Sequence, residues 1–436
     1  MSVPYDYNYT TLNNIQIHVT GCGLAEYDAK CFASTLPTDE KAIVFGTCSF
    51  LKEREIENMI ILKLLSSVYT DYTFYLLGCD INNNRNRYLK YGKVFSNQEV
   101  KAIINNNKLK VITSLNNKVR IKIQDGCKNN CSYCIIHKLR NDLFSVPYSK
   151  IYDSLLKLNT LDTIEEIEFS GVEVCYYYDK ENKFGLVQLL DKVIKDFPKI
   201  KNITLTALDP AAKNIFDILE FVSLHRDKFL LPLNLAVQSG CQKTLNNMNR
   251  HYSVERIIAI TNAANQYKIP LKWDIIVGFP GESEEDFNET KKLMQDLMIN
   301  TANVFIYSPR KGTETYLKKQ VPNLTKHQRQ KELLSMLDKV ENISSGNETK
   351  KLIQDLMINN NIIYLRKFSD IVNFVKYPNL DTMICFDYTQ DNYSEIIINF
   401  LKEYFKDIKL IVNIPKEKNI DKKDFENKFI CKVRFV

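Results

Sequence analysis

Residues 119–140 have the sequence VRIKIQDGCKNNCSYCIIHKLR, the strongest structural signal in the chain. The alternating apolar residues Val119, Ile121 and Ile123 predict a buried strand that ends before a turn at Asp125-Gly126. Three cysteines follow on one short loop: Cys127, Cys131 and Cys134. Three thiolates at this spacing are typical ligands of a soft metal centre, and they leave a four-iron cluster one ligand short. The open iron of such a cluster can bind a small chelating molecule.

A structural zinc site is the first alternative for these cysteines. Zinc needs a fourth Cys or His close to the other three, and His137 is the candidate that the loop offers. Three unrelated buried cysteines are the second alternative. The tight spacing on a single loop favours the open iron–sulfur cluster over both.

The loop resembles the cluster-binding loop of radical S-adenosylmethionine (SAM) enzymes, whose pattern is C-x3-C-x-aromatic-C. Tyr133 supplies the aromatic residue directly before Cys134. The resemblance implies that the three cysteines hold a [4Fe–4S] cluster whose open iron chelates the amino and carboxylate groups of SAM. It also implies that Tyr133 packs near the adenine of SAM.

The composition bounds the class of protein. A chain of 436 residues has room for two or three domains, and 44% hydrophobic with 25% charged residues is typical of a soluble globular protein. No apolar run approaches bilayer length, and the N-terminus MSVPYDYNYT lacks the pattern of a secretion signal. We therefore expect a cytoplasmic protein without membrane association, in which the eleven cysteines bind metal or do chemistry rather than form disulfides. The net charge of +7 permits a polyanionic partner such as RNA.

Residues 1–108 predict a parallel α/β domain, because strand patterns (15–20, 42–45, 74–77) alternate with helical spacing (24–35, 50–67). One cysteine lies at the C-terminal end of each predicted strand: Cys22, Cys48 and Cys79. Parallel strands end at one edge of a sheet, so we expect the three to lie together and to hold a second cluster. Separate buried thiols are the alternative. Residues 80–117 predict a polar, Asn-rich connector with one or two short helices, roughly at 97–104.

Residues 109–340 predict a partial (β/α)6 barrel. The strand patterns are 119–123, 164–169, 203–206, 230–237, 271–277 and 304–307. The helical patterns between them are 148–158, 186–196, 211–222, 254–266 and 283–297. Six units are too few for a closed eight-stranded barrel. Reactive groups of such barrels lie at the C-terminal ends of the strands, which is where the cysteine loop falls.

Residues 341–436 predict a small α/β or α+β module, with strand patterns at 362–365, 382–386, 410–414 and 429–436 and a helical pattern at 393–404. A repeat accompanies it: residues 288–300 (NETKKLMQDLMIN) recur at 347–359 (NETKKLIQDLMIN) with one difference. A partial tandem duplication explains the repeat. Its apolar residues at helical spacing favour a copied helix that packs against the core over a repeated docking helix.

From Thr20 to about Pro322, the chain resembles radical SAM methylthiotransferases, which insert a methylthio group into an unactivated C–H bond. Three blocks carry the resemblance. They are the three N-terminal cysteines, the cluster loop from IQDGC to CII, and the motifs QSG, MNR, DIIVGFPGE and YSPRKGT between Gln238 and Thr313.

The resemblance implies two [4Fe–4S] clusters. One would cleave SAM on Cys127, Cys131 and Cys134, and an auxiliary one on Cys22, Cys48 and Cys79 would carry or donate the sulfur. One SAM would methylate that sulfur. A second would be cleaved reductively to a 5′-deoxyadenosyl radical that removes the substrate hydrogen.

The resemblance also suggests contacts at the strand ends. The residues expected to contact SAM are Tyr133, Gly171, Thr206 and Gln238. Arg310 and Lys311 suit a phosphate or carboxylate of the substrate. Turn and cap roles, or an exposed salt bridge for the basic pair, are the alternatives. No catalytic residue beyond the cluster ligands is expected.

The motifs QDGC and CII most resemble those of the branch that acts at C2 of N6-threonylcarbamoyl-adenosine beside the tRNA anticodon. The isopentenyl-adenosine branch and the branch that modifies an aspartate of a ribosomal protein are the enzymatic alternatives. A non-catalytic RNA-binding module that keeps a cluster is the third. The implied partners are tRNA and an electron donor of the flavodoxin or ferredoxin type, and we expect a monomer.

Two departures from the family bear on RNA binding. The basic residues that usually follow the cluster loop are reduced to Arg140 and its neighbours, which predicts weaker contact with tRNA phosphates at this point. The C-terminal region does not resemble the small RNA-binding β-barrel of the family. All six expected ligands are nevertheless present, so we expect catalytic competence.

Overall fold

The computed structural model describes residues 9–20, 23–48, 52–105, 118–140, 143–159 and 166–337, and the strand segments 357–358, 362–365, 383–387, 409–414 and 432–435. The chain divides into two compact units. The first comprises residues 1–21, 36–96 and 341–436, and the second comprises residues 22–35 and 97–340. The three-domain division with boundaries at 108 and 340 stays a prediction.

The first part of the chain forms a five-stranded sheet whose strands follow one another in sequence order. The strands are β1 (Thr10–Leu12), β2 (Ile15–Val19), β3 (Ala42–Thr47), β4 (Thr73–Gly78) and β5 (Lys93–Val94). The helices along this part are α1 (Gly23–Ala33), α2 (Lys52–Val68) and α3 (Cys79–Tyr88). β2 to β5 are parallel and β1 is antiparallel. β3 is buried along its whole length, as expected of a parallel strand covered on both faces.

The segment predicted as a connector with one or two short helices contains two helices, α3 and a second at Asn97–Asn105, and the short strand β5 between them, which was not predicted. The sequence of α3, CDINNNRNRY, has low intrinsic helix propensity and no apolar stripe. Tertiary contacts replace the missing local signal. The buried carboxylate of Asp80 accepts hydrogen bonds from Asn58 Nδ2 and Asn84 Nδ2, both at 2.7 Å, and from the hydroxyl of Tyr88.

The second unit contains six parallel strands in sequence order, as two sheets of three. The strands are β6 (Lys118–Lys122), β9 (Glu166–Ser170), β12 (Asn202–Leu205), β13 (Leu233–Gln238), β14 (Leu271–Val277) and β15 (Ala302–Ile306). A parallel bridge between Leu208 and Leu235 joins the two sheets. Two short antiparallel pairs flank them: β7 (Gln124–Asp125) with β8 (Phe144–Ser145), and β10 (Tyr178–Asp179) with β11 (Phe184–Gly185). The partial (β/α)6 barrel predicted from the sequence is confirmed.

Further helices lie between residues 97 and 335; the first precedes β6 and the others come after it. They are α4 (Asn97–Asn105), α5 (Ile136–Leu139), α6 (Tyr148–Asn159), α7 (Leu186–Asp196), α8 (Ile215–Leu224), α9 (Gln242–Asn247), α10 (Val254–Gln266), α11 (Glu284–Asp296) and α12 (Asn323–Ser335). The main apolar core includes one face of each strand. In β14, Trp273, Ile275 and Val277 join this core, whereas Lys272 and Asp274 alternate with them and are partly exposed. The opposite face of β14 is therefore largely polar.

The C-terminal strands form a separate five-stranded sheet. They are β16 (Met357–Ile358), β17 (Ile362–Leu365), β18 (Met383–Asp387), β19 (Lys409–Ile414) and β20 (Lys432–Phe435). β17 to β20 are parallel, and β16 pairs antiparallel with β17. Parallel pairing agrees with the α/β form of the prediction. The predicted helix at 393–404 lies outside the described residues.

The two copies of the repeat can be compared only in part. In the first copy, α11 ends at Asp296, and its buried residues Leu293 and Met294 pack in the core. In the second copy, only Met357 and Ile358 are described, and they form β16. The equivalent pair of the first copy also lies beyond the helix.

None of the described helices has both the length and the apolar character needed to cross a bilayer.

Candidate active site

The cysteine loop begins where the first barrel strand ends. Ile123 N donates to Ser170 O (2.9 Å), which extends the pairing of β6 with β9 to the start of the loop. Gly126 then takes a φ of 81°, a left-handed conformation that glycine adopts without strain. Cys127 N donates to Arg140 O (3.1 Å), so the two ends of the loop are tied together. The three cysteines therefore lie on one closed loop at the C-terminal end of a barrel strand.

Gln124 holds this loop against the next strand. Its buried amide nitrogen donates to Asp125 O (2.8 Å) and Gly126 O (2.7 Å), and its Oε1 accepts from Glu173 N (2.7 Å). A Cβ on Gly171 would lie only 2.8 Å from the same Oε1. Glycine at 171 is thus required for the close approach of the β9 turn to the loop.

Two carboxylates surround Cys127. Glu173 Oε1 lies 3.1 Å from Cys127 Sγ, and Asn129 Nδ2 donates to Glu173 Oε1 (2.8 Å) and to Asp209 Oδ2 (3.0 Å). Burial, and then the negative charge of Glu173, raises the pKa of the Cys127 thiol. Burial, and then the charge of Asp209, raises the pKa of Glu173. A cationic group such as an ammonium placed here would offset the negative charge of the two carboxylates.

Two buried acceptors at the end of β9 have no hydrogen-bond partner within the described part of the chain. They are the second carboxylate oxygen of Glu173, Oε2, and the hydroxyl oxygen of Ser170. Buried polar atoms without a partner are costly, so they suggest a bound group that supplies donors. The amino group of SAM is such a donor, and the residues therefore fit this cofactor.

Arg250 lies against the second cysteine. Its Nη1 is 3.2 Å from Cys131 Sγ, its Nη2 donates to Asp209 Oδ1 (3.1 Å), and its Nε donates to the hydroxyl of Tyr252 (3.0 Å). The neighbouring residue Ser132 donates from its backbone to Met248 O (3.0 Å). The MNR motif of the sequence is therefore the segment that backs the cysteine loop.

An aromatic wall flanks the third cysteine. The ring of Tyr133 meets Phe279 edge-on at 6.4 Å between centroids, and Phe279 meets Tyr307 in the same way at 5.5 Å. Met248 completes this small apolar cluster. Burial, and then the negative charge of Cys131, raises the pKa of Cys134 to about 11. Phe279, Tyr307 and Met248 are buried and support the ring of Tyr133, the partly exposed member, whose face is suited to stack on an adenine.

The other predicted contacts differ in their placement. Thr206 Oγ1 donates to Gly171 O (3.4 Å), so these two predicted SAM contacts lie together. Gln238 ends β13 with a φ of 66°, where the pairing of β13 with β14 shifts its register. Arg310 is only 4% exposed, whereas the next residue, Lys311, is exposed. An exposed-loop salt bridge therefore does not describe Arg310, and the substrate role of this pair stays a prediction.

Two of the three N-terminal cysteines can be located. Thr47 and Gly78 are paired across β3 and β4, and Cys48 and Cys79 directly follow them. Both cysteines are buried, and Asn58 Nδ2 donates to Cys48 O (2.9 Å). The two cysteines thus follow neighbouring strands at the same level of one sheet. Cys22 lies outside the described residues, and the auxiliary cluster stays a prediction.

A buried ion network that the sequence did not reveal fixes α1 to the cysteine loop. Asp28 of α1 pairs with Lys122 Nζ (2.8 Å) and Arg140 Nη2 (2.8 Å), and Asp125 pairs with the same two cations (2.8 and 3.0 Å). Burial opposes these charges, but Lys122 and Arg140 hold the pKa of Asp125 below its usual value. Arg140 is 2% exposed. It therefore braces the loop instead of offering a surface charge to RNA.

A zinc site on this loop would need His137 as its fourth ligand. His137 lies in α5, where burial, and then the positive charge of Lys138, lowers the pKa of its imidazole. No group of three or more His, Cys, Asp or Glu side chains among the described residues is arranged around a single metal ion.

The part of the chain that carries the cysteine loop is similar to known proteins. Residues 121–294 match the family model described as the Radical SAM superfamily. The chain is 34% identical over 247 residues to a tRNA-2-methylthio-N(6)-dimethylallyladenosine synthase of Clostridium tetani, which covers 55% of this chain and 52% of that protein. It is 26% identical over 394 residues to the threonylcarbamoyladenosine tRNA methylthiotransferase MtaB of Rickettsia prowazekii, which covers 83% of this chain and 92% of that protein. The chain thus spans about half the length of the first relative and nearly all of the second.

One solved structure is similar in fold. The radical S-adenosylmethionine methyltransferase TsrM of Kitasatospora setae superposes with a TM-score of 0.50 at 11% identity, over 68% of this chain and 67% of that chain. At this identity the similarity supports the fold alone.

Replacing Asp28 by asparagine tests the ion network. Asp28→Asn leaves Lys122 and Arg140 buried with one counter-charge fewer, and we expect it to lower the free energy of unfolding by about 3–5 kcal/mol. Glu26→Gln is the matched control on the same helix. Its carboxylate is 31% exposed and pairs with Arg120 and Lys30, so we expect a loss below about 1 kcal/mol. Urea unfolding of the cluster-free protein measures both, and equal losses would contradict the network.

Proposed function

We propose that this chain, a radical SAM enzyme related to tRNA methylthiotransferases, inserts a methylthio group at C2 of N6-threonylcarbamoyl-adenosine beside the anticodon of tRNA. The observation that carries the proposal is the closed three-cysteine loop at the barrel mouth with Glu173 beside it: Oε1 of Glu173 contacts Cys127, and its buried Oε2 has no partner among the described residues. The threonylcarbamoyl substrate is supported by the Rickettsia relative, whose length is matched almost completely.

N6-dimethylallyl-adenosine is the second candidate substrate. It has specific support, because more of the similar curated proteins are named as dimethylallyladenosine synthases, including the relative at 34% identity. The two candidates differ in the group on N6 and share the reaction at C2. The protein-aspartate and non-catalytic alternatives are kept as outcomes of the test below.

Each group of residues at the site would have its own role in the reaction. When bound, the cluster and SAM would supply reductive cleavage of SAM and removal of the substrate hydrogen. Cys127, Cys131 and Cys134 would hold the cluster on a loop stiffened by Gln124. Glu173 Oε2, which has no partner among the described residues, would accept a hydrogen bond from the SAM ammonium, and Tyr133, supported from behind by the buried Phe279, would pack on the adenine. An auxiliary cluster on Cys22, Cys48 and Cys79 would present the sulfur.

Other features of the proposal stay predictions: a monomer, a cytoplasmic location and an electron donor of the flavodoxin or ferredoxin type. The tRNA partner is supported by the names of the relatives.

Replacing Glu173 by glutamine tests the SAM contact. Glu173→Gln keeps the shape but removes the charge, and a hydrogen bond to a charged group contributes about 1.5–3 kcal/mol, so SAM should bind about 10- to 150-fold more weakly. Equilibrium dialysis with labelled SAM on the reconstituted protein measures this, with iron content as the check on cluster loading. Glu255→Gln, on the exposed first turn of α10, should bind SAM normally. Unchanged affinity in a fully loaded Glu173→Gln protein would contradict the contact.

Expression in a host that lacks its own methylthiotransferases tests the reaction. Mass spectrometry of tRNA nucleosides should show the 2-methylthio derivative of N6-threonylcarbamoyl-adenosine. The reconstituted protein should bind about eight irons, and about four in a Cys48→Ala/Cys79→Ala variant. That variant should still form 5′-deoxyadenosine but no methylthio nucleoside, whereas Cys127→Ala should form neither. Cys241→Ala, at a buried cysteine near Asp286, should behave as wild type.

Each alternative gives a different result in the same assay. A methylthio derivative of dimethylallyl-adenosine would select the second candidate substrate. Unchanged tRNA with a modified ribosomal protein would select the protein substrate. Absence of 5′-deoxyadenosine on reduction with SAM would contradict the enzymatic proposal.

A further inference from the structure

The guanidinium of Arg250 forms more hydrogen bonds than are needed to hold its own segment of the chain in place. Its guanidinium reaches Cys131 Sγ (3.2 Å), Asp209 Oδ1 (3.1 Å) and the carbonyl of Ala236 (3.2 Å), and its side chain is 8% exposed. Tyr252 already ties the same segment to β13, because its hydroxyl donates to Ala236 O and Val237 O, both at 2.9 Å. The hydrogen bond to Cys131 is therefore the contact that a purely structural role leaves unexplained.

The two cysteines at opposite ends of the x3 spacing experience opposite electrostatic surroundings. Cys127 faces the carboxylate of Glu173 at 3.1 Å, whereas Cys131 faces the guanidinium of Arg250 at 3.2 Å. Asp209 accepts from Arg250 and from Asn129, so one carboxylate links both sides. A thiol gains little from a buried cation, but a thiolate ligand gains a charge-assisted hydrogen bond.

We propose that Arg250 is a positioning residue that raises the reduction potential of the cluster on the cysteine loop by donating a charged hydrogen bond to its ligand Cys131. One-electron reduction adds negative charge to a cluster, and N–H donors to its sulfur atoms stabilise the reduced form. The electron comes from an external low-potential donor. Arg250 thus makes the cluster easier to reduce for SAM cleavage. The proposal rests on the cluster assigned above, but not on which nucleoside is the substrate.

Redox titration followed by electron paramagnetic resonance tests the role of Arg250. The full chain carries Cys48→Ala/Cys79→Ala so that only the loop cluster contributes, and it is reconstituted anaerobically without SAM or tRNA. Arg250→Gln should shift the midpoint potential to a more negative value, and Arg250→Lys, which keeps the charge, should shift it less. Arg329→Gln is the matched control. Arg329 is also buried, but its guanidinium pairs with Glu282 (2.7 Å) and Glu284 (3.0 Å), so its loss should leave the potential unchanged.

The outcomes are distinct. An unchanged potential in a loaded Arg250→Gln protein would overturn the proposal, and weaker SAM binding with that unchanged potential would assign the guanidinium to SAM instead. If Arg250→Gln does not load, resonance Raman spectra of the Arg250-containing protein decide the question. Iron–sulfur bands that shift between H₂O and D₂O support an N–H donor to the cluster, and bands that do not shift overturn the proposal. A normal potential shift without methylthio products would refute the proposed function and leave this inference standing.

Discussion

The hydrogen bonds of Gln124 are the contacts on which the cysteine loop depends. One fully buried amide fixes the turn at Gly126 with its nitrogen and the backbone of Glu173 with its oxygen. The loop that follows β6 and the turn that follows β9 are thereby locked together. This lock explains why residue 171 must be glycine, and it brings a carboxylate to Cys127 across 46 residues of sequence. A three-ligand cluster needs such rigidity, because no fourth protein ligand fixes its position.

Groups of opposite charge lie on the two sides of the cysteine loop that Gln124 holds in place. Carboxylates of Glu173 and Asp209 lie on the Cys127 side, and the guanidinium of Arg250 lies on the Cys131 side. The aromatic wall beside Cys134 supplies the apolar surface. A molecule with an ammonium group and an adenine has a counterpart for both parts in this region, the carboxylate of Glu173 and the ring of Tyr133, which is the physical basis for the SAM site proposed here.

The sequence predicted the elements well but the contacts poorly, and the reason is sequence distance. The alternation of β14 and the helical spacing of α7 and α10 are local, so their predicted bounds coincide with the observed ones. The positions of Gly171 and Thr206 just after strands could be predicted because both follow strand patterns, and their contact with SAM stays a prediction. Arg250 contacts a cysteine 119 residues away, and the network of Asp28 joins α1 to residues 94 and 112 positions later. No local pattern marks such pairs. The same applies to α3, where Asp80 accepts a hydrogen bond from Asn58, which lies 22 residues earlier.

The account depends most on an open iron at the cysteine loop that binds SAM directly. Electron–nuclear double resonance of the reduced Cys48→Ala/Cys79→Ala protein, with SAM labelled with ¹⁵N at the amino group and ¹⁷O at the carboxylate, measures this contact. The account predicts hyperfine coupling from both labels to the cluster. A fully reduced cluster that shows coupling to neither label while SAM is bound would contradict it.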